Sequence, residues 1–156
     1  MNMPQRKFEL QANASRLTLA TRMRPEAAMG LATARLMVHP AFARAPFGHI
    51  ARALAGQVNR GHYAFAMRSG QPVGFVGYGL VSEAVGEGWL AGNRAIGTAE
   101  AVGGDCLLLN FWQADDAEVG AFLRSALRMT LPAIRRIYAK RHYPDGRTRP
   151  VRLELA

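Results

Sequence analysis

The sequence predicts one α/β domain of the α+β kind, with a mixed, largely antiparallel sheet flanked by helices. Two observations lead to this prediction. Apolar residues recur at helical spacing in two early segments and again after residue 116, and runs typical of strands lie between them. The length of 156 residues is that of one ordinary domain and is enough to bury a substantial core.

The N-terminal part is predicted to hold an arm and two helices. Residues 1–25 mix basic and isolated apolar positions and are interpreted as a loosely attached arm before a domain spanning 26–156. Helix-forming residues dominate 26–38, and Pro40 ends this helix. A four-residue spacing of apolar residues predicts a second amphipathic helix over 49–59.

A β-hairpin is predicted next, with strands over 63–68 and 73–81 and a turn at Ser69-Gly70-Gln71-Pro72. Glycines recur in the second strand, among them Gly74 and Gly77. Glycines in a strand mark a bulge, a close approach of a ligand, or tight packing of a helix, and the pattern leaves these alternatives open.

The C-terminal part is predicted to hold a central strand, a helix and two further strands. Residues 82–101 read as a long loop or a short helix, and 105–112 form an apolar run typical of a strand covered on both faces. Asp115 and Asp116 are candidate caps of the following helix. Strands are expected within 131–140 and 151–155, separated by a Pro-Asp-Gly turn.

Composition limits the classes of partner. The net charge of +9 predicts an anionic partner, and nucleic acid, anionic lipid and an acidic carrier protein all qualify. No apolar run is long enough to span a membrane or to form a signal peptide, so a cytoplasmic location is expected. A single cysteine, Cys106, excludes an internal disulfide and a thiolate-rich metal cluster, and no metal site is expected.

Three motifs carry a resemblance that covers residues 30 to 153. They are Q-V-N-R-G-H-Y at 57–63 with the hairpin that follows it, W-L-A-G-N-R at 89–94, and the proline-rich end. Their order resembles that of the toxin-activating lysine acyltransferases. The resemblance implies an acetyltransferase-like sheet, acyl-acyl carrier protein as the donor with no bound cofactor, an RTX-like protein substrate, and a homodimer.

Acyl transfer to a lysine needs a base, a stabilised thioester carbonyl and a slot for the acyl chain. His39 is the first candidate for the base, His49 is expected to be structural, and His62 and His142 are expected to be solvated. The family's catalytic histidine position holds Phe42 here.

The resemblance also suggests partners for the base. The family's aspartate that orients the histidine has no counterpart at the expected place, and Glu100 is the nearest carboxylate. Asn93 and Arg94 are expected near the thioester. The acyl chain is expected along the glycine-rich strand, against Gly74 and Gly77.

Two other functions stay open. Loss of both signature residues favours a catalytically degenerate relative that binds an acyl carrier or another protein. The arginine-rich C-terminal segment allows a nucleic-acid-binding protein, although no sequence-specific motif supports it. The segment Q-A-D-D-A-E-V-G-A at 113–121 stands where ordinary acetyltransferases bind the coenzyme A pyrophosphate, and its aspartates disfavour that ligand.

Overall fold

The computed structural model describes residues 16–92 and 95–155, which form one six-stranded sheet with helices on both faces. The strands are β1 (Leu17–Ala20), β2 (Tyr63–Arg68), β3 (Gln71–Val81), β4 (Cys106–Ala114), β5 (Arg136–His142) and β6 (Thr148–Glu154). The helices are α1 (Pro25–Leu36), α2 (Pro40–Ala43), α3 (Phe47–Arg60), α4 (Glu83–Leu90) and α5 (Ala117–Thr130), and a 3₁₀ turn spans Thr98–Ala101. Strand order follows the chain, so the predicted mixed, largely antiparallel sheet is confirmed.

The first strand differs from the sequence prediction. Leu17–Ala20 belongs to the predicted arm, yet it pairs antiparallel with β2 at one edge of the sheet. The amide of Met23 donates a 3.0 Å hydrogen bond to the hydroxyl of Tyr63, which holds the chain as it enters α1. Residues 1–15 of the arm lie outside the described residues. The described domain therefore begins before residue 26.

The hairpin between β2 and β3 forms as predicted, with a tighter turn. Arg68 pairs with Gln71, so only Ser69 and Gly70 form the turn. Their φ angles are 53° and 73°, and positive φ at both positions is typical of the two-residue turn that matches the twist of a hairpin. The return strand consequently starts at Gln71, two residues earlier than expected.

One face of the sheet, called here the cavity face, carries α1, α3 and α4. Phe65, Phe75 and Phe111 project from three adjacent strands of this face, where α1 and α3 cover them. Burial of each such side chain contributes about 1.5–3 kcal/mol. Farther along the same face, Leu108 and Tyr138 pack with Leu90 of α4.

The opposite face is covered by α5. Its residues Val119, Leu123 and Leu127 are buried against Val76 and Leu107 of the sheet. The helix begins where Asp116 accepts a 2.9 Å hydrogen bond from the amide of Val119, as predicted for its cap. Because α5 connects β4 to β5, these two strands run parallel.

The parallel pair separates partway along its length. β4 and β5 are paired from Cys106 with Arg136 to Leu109 with Ala139, and beyond these residues both strands continue unpaired with each other. At the same point β4 has a bulge toward β3, where Asn110 has no paired residue opposite it. The sheet thus opens at its centre, next to a bulged residue.

The described ranges contain no helix long and apolar enough to cross a bilayer. Within the same ranges, no cluster of three or more His, Cys, Asp or Glu side chains could hold a metal ion.

Candidate functional site

A cavity of about 640 Å³ lies on the cavity face where the sheet opens. Such a volume is within the usual range of small-molecule sites, roughly 300–1,000 Å³. Its walls come from α3, from α4, from Gly92 and from residues within 95–101, and the strands form its floor. Gly79, Leu108 and Asn110 belong to that floor.

The α3 wall is basic. His49, Arg52 and Arg60 all line the cavity, and two turns of helix separate the two arginines. The guanidinium of Arg60 lies against Gly56, whose missing side chain leaves room for it. Among the described residues neither arginine pairs with a carboxylate, and Arg60 Nε is buried with no hydrogen-bond partner. Burial lowers the pKa of Arg60, so an anion beside it would relieve an energetic cost.

A buried polar pair lies on the border between this wall and the floor. Gln57 is only 2% exposed, and its Nε2 donates a 2.9 Å hydrogen bond to Oδ1 of Asn110. Gln57 Oε1 is buried and has no partner within the described part of the chain. A buried polar atom without a partner is costly, and its place in a cavity wall is typical of a binding site.

The sequence analysis missed this pair, although a signal was present. Gln57 stands on the apolar side of the α3 pattern, and Asn110 interrupts the apolar run C-L-L-L-N-F-W. A polar residue inside an apolar pattern is informative because its burial must be compensated.

Trp89 of α4 forms another part of the cavity lining. On the indole lies the ammonium group of Lys140, with Nζ 4.3 Å from the ring centroid. This is a cation–π contact between α4 and β5. Burial lowers the pKa of Lys140.

His39, the predicted base, lies in a second polar region at the end of β5. It caps the short helix α2, where its Nδ1 accepts a 3.2 Å hydrogen bond from the amide of Ala41. Its ring centroid is 5.0 Å from that of Phe42 and 6.3 Å from that of His142. His142 borders a cavity of about 280 Å³ that Pro40 and Arg44 also line. The structure therefore places the rings of His39 and His142 next to each other.

Two of the histidines expected to be solvated are half-buried. Burial, with the nearby His39 and Lys140, lowers the pKa of His142. His62 stacks on Tyr78 at a centroid distance of 5.2 Å, and its Nδ1 is buried without a partner in the described structure. His49 is exposed and lines the main cavity, where a purely structural role had been expected.

Glu100 lies in the 3₁₀ turn at the edge of the main cavity. Its carboxylate accepts a 3.1 Å hydrogen bond from the amide of Gly97, and Thr98 and Ala101 of the same turn line the cavity. Asn93 and Arg94 lie outside the described residues. Their flanking neighbours, Gly92 and Ala95, both line the main cavity.

The two glycines predicted to contact substrate are in close contact with helices. A Cβ on Gly74 would lie 2.6 Å from Cγ1 of Val119 in α5. A Cβ on Gly77 would lie 2.2 Å from Gln57 Oε1, on the other face of the sheet. Helix packing, one of the alternatives left open by the sequence, therefore accounts for both positions. Gly79 is the glycine of this strand that lines the cavity.

The N-terminus of α5 is surrounded by carboxylates and arginines. Asp115 forms an ion pair with Arg35 and accepts a 2.9 Å hydrogen bond from Gln113 Nε2. Asp116 caps the helix and lies 3.2 Å from a guanidinium nitrogen of Arg68. The cap already takes one backbone amide of this helix N-terminus, and carboxylates disfavour a phosphate group beside them.

The α5 face has an apolar groove of about 290 Å³ between α5 and strands β4 to β6. Leu109, Ile137 and Leu153 contribute to it, and Arg124 and Arg128 stand at its rim. No ion pair to either arginine is present in the part of the chain that the structure describes.

No protein-family model matches the chain, and no curated protein matches it. Solved structures do. The GNAT-like decarboxylase GphF in complex with isobutyryl-CoA has a TM-score of 0.56 at 19% identity, over 83% of this chain and 67% of that chain. The loading GNATL domain of CurA from Lyngbya majuscula has a TM-score of 0.59 at 12% identity, over 84% of this chain and 69% of that chain. Agmatine N-acetyltransferase has a TM-score of 0.57 at 15% identity, over 81% of this chain and 76% of that chain. Together with the strand order, these likenesses establish that the chain has a GNAT-like fold.

Proposed function

We propose that this protein is an acyltransferase that moves an acyl group from a carrier-protein thioester to an amine of a protein substrate. The observation that carries the proposal is the two-sided character of the main cavity. Arginines that pair with no carboxylate of the described residues form one wall, while Trp89, Ile96 and Leu108 offer apolar surface nearby. An acyl thioester on a phosphopantetheine arm has the same two parts, a phosphate and an apolar chain.

The phosphate end of the donor is assigned to Arg52 and Arg60. Guanidinium groups bind phosphate oxygens with paired, charge-assisted hydrogen bonds, which are stronger than neutral ones. The buried Nε of Arg60 lacks a partner within the described residues, so a bound phosphate would supply one. Asn93 and Arg94 are proposed to act next to the thioester, since both of their neighbours in the chain line the cavity.

The donor is proposed to be an acyl carrier protein, with no cofactor bound permanently. Coenzyme A and the carrier share the pantetheine arm, but only coenzyme A needs a site for a pyrophosphate. The carboxylates at the N-terminus of α5 disfavour that group. A carrier protein is acidic, and the net charge of +9 favours its encounter with this chain.

The amine is proposed to enter at the end of the cavity face where His39 and His142 meet. His39 takes the proton of the attacking amine, the role that the family resemblance gives to a histidine. Glu100 acts as a positioning residue, since its bond to the Gly97 amide holds the turn that borders the cavity. The resemblance further suggests an RTX-like protein as the acceptor, a homodimer and a cytoplasmic location.

The test is an intact-mass assay of transfer. The protein is incubated with octanoyl-acyl carrier protein or octanoyl-coenzyme A and a lysine-bearing fragment of an RTX protein. Mass gain on the fragment is expected from the carrier donor, with a much smaller gain from coenzyme A. His39→Ala should abolish the gain, whereas the exposed control Arg24→Ala, at the start of α1, should retain it. Absence of transfer from both donors overturns the proposal, and equal transfer from both overturns the donor assignment.

A second candidate function is a non-catalytic module that binds the acyl carrier protein or another protein. The observation that favours it is the apolar groove on the α5 face, because Arg124 and Arg128 at its rim suit an acidic amphipathic partner. Binding of the carrier that persists without any transfer, and that is lost in Arg124→Glu with Arg128→Glu, would favour this function.

Nucleic-acid binding has less support. Arg135 and Arg136 of the basic C-terminal segment form ion pairs with Glu83, and Arg152 forms one with Glu87. Charges engaged in this way are less available to phosphates of a nucleic acid.

A further inference from the structure

Lys140 is unusual among the basic residues of this chain. The sequence has 20 lysines and arginines in total, and only Lys7 and Lys140 are lysines. Lys7 lies outside the described residues, whereas Lys140 lies on β5 beside the candidate site. No carboxylate pairs with Lys140 in the described parts of the chain; its ammonium group contacts the Trp89 indole, and the residue also contributes to the lining of the apolar groove.

The surroundings of Lys140 suit a nucleophilic amine. An amine attacks a thioester only in its neutral form, and burial lowers the pKa of Lys140 and so raises the neutral fraction. His142 lies two residues farther along β5 and projects from the same face of the sheet. Burial also lowers the pKa of His142, which keeps the imidazole neutral and able to accept a proton.

Trp89 is the residue that both lines the main cavity and contacts this amine. The indole lines the cavity, and the ammonium nitrogen of Lys140 is 4.3 Å from the ring centroid. An acyl thioester that packs against Trp89 therefore comes within reach of a long, flexible side chain. Lys140 has four rotatable side-chain bonds, so a rotamer change can carry its amine past the edge of the ring.

We propose that Lys140 is a site of self-acylation, at which its ε-amine attacks the carbonyl carbon of an acyl thioester bound in the main cavity. This inference rests on the proposed function, since it uses the same donor. The C–N bond of an amide forms and the C–S bond of the thioester breaks. The proton lost by the amine passes through His142 to the departing thiolate, and no oxidant or reductant is needed.

The product has a consequence for the site. An amide does not transfer its acyl group to another amine as a thioester does. Acyl-Lys140 is therefore a lasting modification and not an intermediate of the transfer reaction. The attached chain stays near Trp89, where it occupies space that a second donor would need. Self-acylation would therefore slow further transfer to an external substrate.

The test uses the full chain and its two lysines. The protein is incubated with octanoyl-acyl carrier protein, and separately with the small thioester octanoyl-N-acetylcysteamine, and is examined by intact mass and peptide mapping. One adduct is expected, on Lys140. Lys7→Arg should retain it and Lys140→Arg should lose it. His142→Gln should slow its formation by about tenfold or more, as loss of a positioned base does.

Several results would overturn the proposal. Modification of Lys7 or the N-terminal amine at the rate of Lys140, or an undiminished rate at Lys140 in urea, would show ordinary chemical reactivity. Because the adduct is mapped in the wild-type chain, this reading does not depend on the folding of a variant. An acylated RTX fragment with an unmodified protein would overturn self-acylation alone. If neither the RTX fragment nor the protein itself is acylated, the proposed function is overturned as well.

Discussion

Substitution of Gly86 by alanine tests how closely α4 packs on the sheet beside the candidate site. Gly86 is buried in α4 directly over Tyr138 of β5, and a Cβ there would lie 2.3 Å from two carbons of the ring. Carbon atoms in good contact are about 3.5–4.0 Å apart, so the helix or the ring must move by more than 1 Å, by this estimate. Tyr138 is fully buried and cannot turn away into solvent.

The matched control is Gly30→Ala in α1. Gly30 also lies inside a helix, but it is exposed and a Cβ would meet no atom within 4 Å. Both variants gain about 1 kcal/mol of stability from the higher helix propensity of alanine. Only Gly86→Ala also loses stability through overpacking, by about 1–3 kcal/mol. The severe contact indicates the upper end, so we expect about 3 kcal/mol between the two variants.

The assay is urea and thermal unfolding of the wild type and both variants. A difference of about 3 kcal/mol corresponds to melting temperatures about 6–12 °C apart for a chain of this size. Gly30→Ala should be slightly more stable than the wild type, and Gly86→Ala less stable. If Gly86→Ala proved as stable as Gly30→Ala, the close packing of α4 on Tyr138 would be refuted.

Three further predictions concern the site and its supports. Arg60→Ala should weaken binding of acyl carrier protein about tenfold or more and reduce its salt dependence, as isothermal titration at two salt concentrations would measure. Burial and Arg60 lower the pKa of His62, so its contribution to stability is present above about pH 6.5 and is lost as the pH falls through the lower folded pKa. Melting temperatures at pH 8 and 5.5 should therefore differ less in His62→Phe, which retains stacking on Tyr78. Gly74→Ala should destabilise the fold by about 1–3 kcal/mol in urea, and adding Val119→Ala should restore part of the loss; a neutral Gly74→Ala would instead favour the ligand interpretation.

Helices α1, α3 and α5 and the hairpin could be predicted because their signals are local. Pro40, the Ser69-Gly70 turn and the cap at Asp116 each act through neighbouring residues. β1 could not be predicted in the same way. Its four residues carry no clear pattern and are stabilised by pairing with β2, more than 40 positions away in the chain. Secondary structure that depends on distant pairing has little signature of its own.

The candidate site was only partly predictable for the same reason. Residues 82–101 were predicted to form a long loop or a short helix, and the structure has the helix Glu83–Leu90 followed by residues that line the main cavity, among them Ala95 and Thr98. His62 was expected in solvent because it precedes the predicted hairpin. Its stacking partner Tyr78 comes from the next strand, and the bulge at Asn110 depends on the register between β3 and β4. Register is a tertiary property that the local pattern does not determine.

The position of α4 links the stability of the sheet to the candidate chemistry. Glu83 at its start pairs with Arg135 and Arg136, and these guanidinium groups lower the pKa of the Glu83 carboxyl. The same helix carries Gly86 over Tyr138 and Trp89 against Lys140, so nearly two turns of α4 meet three alternate positions on β5. Because Tyr138 is fully buried, we expect α4 to move to relieve the contact at Gly86, and Trp89 then moves relative to Lys140. Acyl transfer and self-acylation should both respond to Gly86→Ala, and the Gly30→Ala control should leave both unchanged.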